Sequence, residues 1–274
     1  MTTLLKSAAN RSAATLSARK STEIKEGKYL YGIVAASEND TRPETFGNIG
    51  IGGRSDEVSI LWSGAVGAVV SRSPIITYSI AKEHLTAHER VLETVMVHYT
   101  LLPVRYSLVA ESDEKLLRLL ERERETFTSL LSHLHGKKEL GLKAVFPESI
   151  FQDILTTNAT LKAKKDALEK QRSKTTHDLI EIGQAVEAAL EVEKKKIADD
   201  VLHELSSLAV EHRSNKPASE RMILNMAFLV EHANEKTFDE KVAAISEKYP
   251  KVKFKYAGNL PPYNFVNLKL TMEN

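Results

Sequence analysis

The chain has 274 residues, of which 42% are hydrophobic and 27% charged. Its 38 Lys and Arg nearly cancel its 37 Asp and Glu, so the net charge of +1 gives no global reason to expect DNA or RNA. Cysteine is absent, which excludes disulfides, Cys-ligated zinc and thiol catalysis and fits a reducing cytoplasm; no apolar run of about 18 residues is present to span a membrane.

The length suggests two domains. Residues 1–27 read as a disordered or flexible extension, rich in Ser, Ala and Thr, with Lys6, Arg11, Arg19 and Lys20 and no acid before Glu23. They lack the continuous apolar stretch of a secretory signal and resemble a transit peptide only distantly.

Order begins at residues 28–35 (KYLYGIVA), a β-branched and aromatic run predicted as a strand. Residues 37–56 read as a long loop. The GNIGIGG inside it invites a phosphate-loop reading, but no Gly-Lys-Ser/Thr follows and the dinucleotide spacing is missing. Residues 57–61 and 65–71 form a predicted hairpin about Ser63 and Gly64, with Trp62 as a half-buried prop.

Residues 79–97 carry Ile80, Leu85, His88, Val91, Leu92, Val95 and Met96 at three- and four-residue steps, predicting a helix. His84 and His88, four apart, could chelate a metal, but Leu85 stands where a zincin needs Glu. The competing reading puts His88 near the core, bonded to the following strand. That strand is expected over residues 99–107 (YTLLPVRYS), on an edge or with a bulge because Pro103 lacks a ladder donor. Arg105 either pairs with Glu89 or Glu93 or faces solvent. Ser112 caps the next helix, with Asp113 and Glu114 in its first turn, and Gly136 ends it.

Residues 139–146 (ELGLKAVF) read as a strand. Pro147 and Glu148 then open one long helix expected from 149 to 205. Ile154, Leu161 and Leu168 give it a narrow heptad seam, a solvated arm or half of a coiled-coil contact. Ile182, Val186, Leu190, Ile197 and Val201 should pack on a sheet, and Gly183 would permit close approach. Residues 207–212 and 222–230 read as antiparallel strands, 237–248 as a helix, and 252–256 as a strand that Ala257, Gly258 and Asn259 break. The fold class is α+β: two ferredoxin-like-related units over 28–136 and 137–258, the second with an extended first helix. Segment 259–274 should dock on the body.

That closing segment holds Pro261 and Pro262, whose fixed φ leaves little chain entropy to lose when Tyr263, Phe265 and Val266 dock. These residues also carry a resemblance. The chain is similar to the GvpF/GvpL family of gas vesicle proteins in its Pro-Pro-Tyr-x-Phe-Val end, in YLYGIV at 29–34, in HERVLETVM from His88 through Leu102-Pro103-Val104-Arg105-Tyr106, and in ERMILNMAFLVE at 220–231. It departs from the family in having Leu260 where tryptophan often precedes the prolines. The resemblance implies two α/β domains and an accessory or minor structural role in vesicle assembly. It also implies, as partners, the shell subunit GvpA and possibly other Gvp accessory proteins, in the cytoplasm or at the vesicle. Pro261, Pro262, Tyr263, Phe265, Val266, Tyr106 and Arg105 are the expected protein-binding residues. No cofactor and no catalytic constellation is expected: there is no nucleophile elbow, and the nine histidines scatter. A coiled-coil scaffold unrelated to vesicles and a His-ligated metalloenzyme are the alternatives.

Overall fold

A computed structural model describes residues 25–36, 42–170 and 175–270. The expected flexible extension lies outside the described residues except for Lys25, Glu26 and Gly27, of which Glu26 and Gly27 open the first strand.

The first sheet is antiparallel. It contains β1 (Glu26–Ala35), β2 (Val58–Ser63), β3 (Val66–Pro74) and β4 (Leu101–Pro103) in the order β2-β3-β1-β4, and β5 (Val109–Ala110) also pairs with β1. The predicted hairpin forms, and Gly64 at its turn has φ +61. A register break between Leu30 and Gly32 sorts the side chains of β1. Tyr29, Tyr31 and Val34 face α1 (Lys82–Met96), while Leu30 and Ile33 face α2 (Asp113–Arg122) and α3 (Arg124–Leu134). Residues 46–51 of the glycine-rich loop lie on the α1 face, where Ile51 is fully buried and donates its N–H to the Tyr31 hydroxyl at 2.8 Å. The loop thus packs on the face of the first sheet that α1 covers.

The second sheet, also antiparallel, has β6 (Lys137–Val145), β7 (Glu211–Ser214), β8 (Met222–Glu231) and β9 (Lys253–Leu260) in the order β7-β8-β6-β9. Leu140, Leu142, Phe228 and Val230 on its front face pack against α6 (Thr176–Leu205) and α7 (Glu235–Lys248). On its rear face Ala227 and Leu229 join the cluster formed by the first sheet, α2 and α3, so the two sheets share one buried layer.

Several expectations are corrected. The single long helix is three: α4 (Ile150–Thr157), α5 (Ala159–Lys170) and α6. Asn158 is extended, and its Oδ1 accepts from Leu161 N–H at 3.1 Å, starting α5 afresh. Thr175 and Asp178 form a capping box that starts α6. Cap chemistry therefore overrides the continuous helical composition. Helix α5 folds back along α6, bringing Lys164 within 2.9 Å of Glu181, and Ile154, Leu161 and Leu168 are all buried within the chain. The seam offered for a coiled-coil partner is consumed internally. Gly183 has open space where a Cβ would sit, so it marks no close approach.

The strand expected over 99–107 shrinks to three residues on the sheet edge, because Ser107 adopts φ +69 and the chain turns away after Pro103. The strand expected at 207–212 begins later, at Glu211, after a 3₁₀ turn over Ser206–Leu208. The break expected at 257–259 is a bulge: Asn259 takes φ +54, and pairing resumes with Leu260 opposite Glu139. The second sheet thus claims Asn259 and Leu260, the first two residues of the expected closing segment. The helix after Ser112 kinks at Glu123 into α2 and α3, with Gly136 at φ +71 beyond its end.

Candidate functional site

The closing segment leaves β9 at the junction of the two sheets. Pro262 is buried and Pro261 half-buried. After the prolines the backbone turns: Tyr263 N–H reaches the Pro261 carbonyl at 2.7 Å and Phe265 N–H the Pro262 carbonyl at 3.1 Å. Two rings without N–H groups cannot prolong the ladder, and the turn sends successive side chains in different directions.

Tyr263 goes to the first half of the chain. Its ring is 42% exposed, but its hydroxyl is inserted beside His88 of α1 and the backbone of Val104. The oxygen lies 2.9 Å from His88 Nε2 and donates to the Val104 carbonyl at 3.2 Å. His88 is 2% exposed, and its Nδ1 is 3.0 Å from the Tyr29 hydroxyl, which also accepts the Ser107 N–H at 2.8 Å. One hydroxyl has one proton to give. With the Tyr263 proton directed at Val104, His88 carries its proton on Nε2 and accepts from Tyr29 at Nδ1. Burial pushes the imidazole pKa down to about 4 and the Tyr29 and Tyr263 hydroxyls well up, so all three are neutral near pH 7. Tyr106 packs edge-on to the same imidazole at 5.8 Å, and its hydroxyl donates to the Ser79 carbonyl at 2.8 Å.

Asn264 goes to the second half. Its backbone N–H donates to Glu139 Oε2 at 3.0 Å and its Nδ2 to Oε1 at 2.6 Å. Glu139 is 3% exposed on the rear face of β6. Burial raises its pKa, and the two bonds from Asn264 oppose that rise. Phe265, 8% exposed, enters the shared core layer with Val266 packed beside it. Leu260, standing where the family often has tryptophan, lies over Gly141; a Cβ there would be 2.9 Å from the leucine Cδ1.

Among the seven expected binding residues, Pro262 and Phe265 are therefore held inside the chain's own body, with Pro261 and Val266 half-buried. Arg105 faces solvent, and no ion pair to Glu89 or Glu93 forms among the described residues. Arg105 and Tyr106 line a cavity of about 340 Å³ with Leu108, Leu268 and Leu270. A second cavity of about 630 Å³, at the junction of the sheets, is lined by His98, His135, His232 and Lys137. Among the described residues no group of three or more His, Asp or Glu is placed to hold a metal ion. The His84–His88 pair is not a chelate, because both nitrogens of His88 face tyrosine hydroxyls and His84 Nδ1 faces the Ser79 carbonyl at 3.2 Å. The attachment of Asn264 to Glu139 escaped sequence reasoning. Its signal is a carboxylate at the head of the apolar run ELGLKAVF, where burial demands donors from elsewhere.

Comparison with known proteins gives one answer. The family profile described as gas vesicle synthesis protein GvpL/GvpF matches residues 27–267. Gas vesicle protein F of Nostoc sp. is 29% identical over 250 residues, covering 88% of this chain and 98% of that protein. Gas vesicle protein F of a Streptomyces sp. is 30% identical over 241 residues, covering 87% and 98%. The crystal structure of GvpF from Anabaena sp. superposes with a TM-score of 0.76 at 29% identity, covering 89% of this chain and all of that one. That of GvpF from Microcystis aeruginosa gives 0.71 at 27%, covering 88% and 99%. No helix among the described residues is long and apolar enough to cross a membrane. The chain belongs to the GvpL/GvpF family of gas vesicle proteins.

Proposed function

We propose that this protein is a cytoplasmic accessory or minor structural component of gas vesicles that binds the shell subunit GvpA and limits its aggregation during nucleation or assembly. The observation that carries the reading is the family match over residues 27–267. It needs no bond-making chemistry and no cofactor. An apolar subunit awaiting polymerisation requires cover for its exposed strand edges and apolar faces. The cavity between residues 104–108 and 268–270 offers such cover, with Tyr106, Leu268 and Leu270 as apolar contacts and Arg105 at its mouth. The exposed ring of Tyr263 extends the surface.

We read residues 28–136 and 137–258 as two domains and the segment after them as the clamp between them. The strand order β7-β8-β6-β9 supports a ferredoxin-like reading of the second, and the order β2-β3-β1-β4 a relative of it with a loop in place of one helix.

The test is co-expression with GvpA followed by affinity capture and assay of soluble shell subunit. A retained complex and a larger soluble fraction are expected. Failure of the wild-type chain to retain GvpA overturns the shell-subunit reading. Arg105→Glu with Lys269→Glu, both exposed at the cavity, should weaken the complex while leaving the unfolding midpoint near wild type. Unchanged binding by that variant rejects the cavity as the site.

A further inference from the structure

The rear face of the second sheet has two unlike halves. Near the junction it is covered: Ala227 and Leu229 are buried, Glu139 holds Asn264, and Leu260 lies over Gly141. Toward the far end it is open. There Lys143 of β6 stands directly opposite Lys255 of β9, and Lys253 is opposite the half-buried Val145. The assignment to one face follows from the register, since the alternate residues Leu142, Ala144, Phe254 and Tyr256 belong to the front core. On its other side Lys143 is opposite Asn225. Lys143, Lys253 and Lys255 are all exposed, and none makes an ion pair among the described residues.

Like charges directly opposite across a ladder are unfavourable. Lys253 and Lys255 have a plain explanation, since β9 is an edge strand and lysines discourage edge-to-edge pairing. Lys143 has none. It lies on β6, between β8 and β9, where no edge needs guarding. Two exposed lysines paired across an interior strand, neither of them in an ion pair among the described residues, leave this half-face positive and suited to an external counter-charge.

We propose that this open half-face docks an acidic polypeptide segment of a protein partner. The spacing suits one. Cross-strand neighbours stand about 5 Å apart and residues two apart on a strand about 7 Å. Carboxylates on one face of a helix, about 5–6 Å apart, or alternating along an extended chain, match this grid. Three lysines in a chain of net charge +1 are few for a phosphate backbone, which draws on roughly 6–10 contacts. The proposal is independent of the GvpA reading and of the cavity beside Arg105.

The test uses the full chain and a fluorescein-labelled poly-glutamate peptide, followed by anisotropy at low salt. A DNA duplex is titrated in parallel, and light scattering reports self-association. Wild type should bind the peptide, with affinity falling as salt rises. Lys143→Gln with Lys253→Gln and Lys255→Gln should weaken binding about tenfold. Lys143→Gln alone should weaken binding while raising the unfolding midpoint, because it relieves the repulsion. A folded triple variant that binds as wild type does, or a wild-type chain that ignores the peptide, overturns the proposal. So does tighter lysine-dependent binding of the duplex, or self-association that the triple variant abolishes.

Discussion

The Tyr263 hydroxyl and His88 Nε2 lie 2.9 Å apart across a sequence separation of 175 residues, while the next residue, Asn264, holds Glu139 of the second sheet. Two adjacent side chains thus bind the two halves of the chain together. Tyr263→Phe should cost about 1–3 kcal/mol, since the buried His88 Nε2–H loses its acceptor and the Val104 carbonyl a donor, while Tyr29 still holds Nδ1. The check is a double-mutant cycle read by urea unfolding. On a His88→Phe background the tyrosine change should cost much less, and equal costs in both backgrounds would show that the contact carries no coupling.

His88 also sets a pH dependence. Its imidazole pKa falls from 6.5 to about 4 on folding, so between those values the unfolded chain binds the extra proton. Stability from this group is complete above pH 6.5, declines as pH drops through the window, and is gone below about 4. The depression corresponds to about 3 kcal/mol. Glu139 acts with the opposite sign: its raised pKa favours the folded state in full below its ordinary value of 4.5, and that advantage is lost as pH rises from there through the raised value of the folded chain. Urea midpoints from pH 7 to pH 4 should fall steeply for wild type and less for His88→Phe. Parallel curves would remove His88 as the cause.

Much of this was legible in the sequence because local pattern and tertiary use agreed. The β-branched and aromatic run YLYGIV, the Ser63-Gly64 turn and the Ser112 cap each act within a few residues, and each appears as expected. What failed did so where a local rule competed with another. Asn158 and Thr175 look like ordinary polar residues inside a charged helix, yet their side chains satisfy backbone N–H groups better as caps and divide it. Asn259 looks like a strand breaker and serves as a bulge. The clamp was half visible. Proline pairs followed by aromatics announce a docked segment, but nothing local tells Tyr263 to seek His88 or Asn264 to seek Glu139.

The folded-back α5 makes a prediction that separates the internal seam from a coiled-coil arm. Leu161 is buried beneath its own helices, so Leu161→Ala should cost about 2–5 kcal/mol in unfolding free energy. Light scattering should report the same mass for variant and wild type at every concentration. A stable variant that loses self-association would instead place the seam between chains.

Glu139 and Asn264 give the sharpest test of the clamp, because the geometry sets a carboxylate against two specific donors. Asn264→Ala removes the Nδ2 donor at 2.6 Å and leaves only the backbone N–H at 3.0 Å to satisfy a group that is 3% exposed. Hydrogen bonds to a charged group are worth about 1.5–3 kcal/mol, and an unsatisfied buried charge costs at least as much. The variant should therefore lose about 2 kcal/mol or more at pH 7. The loss should shrink at pH 4, where the raised carboxyl takes a proton and no longer needs two donors. Glu139→Gln provides the control: a neutral amide keeps the shape, tolerates the missing donor, and should make Asn264→Ala nearly free of cost. If Asn264→Ala is equally costly with Glu or Gln at position 139, the loss comes from packing of the closing turn and the charge has no part in it.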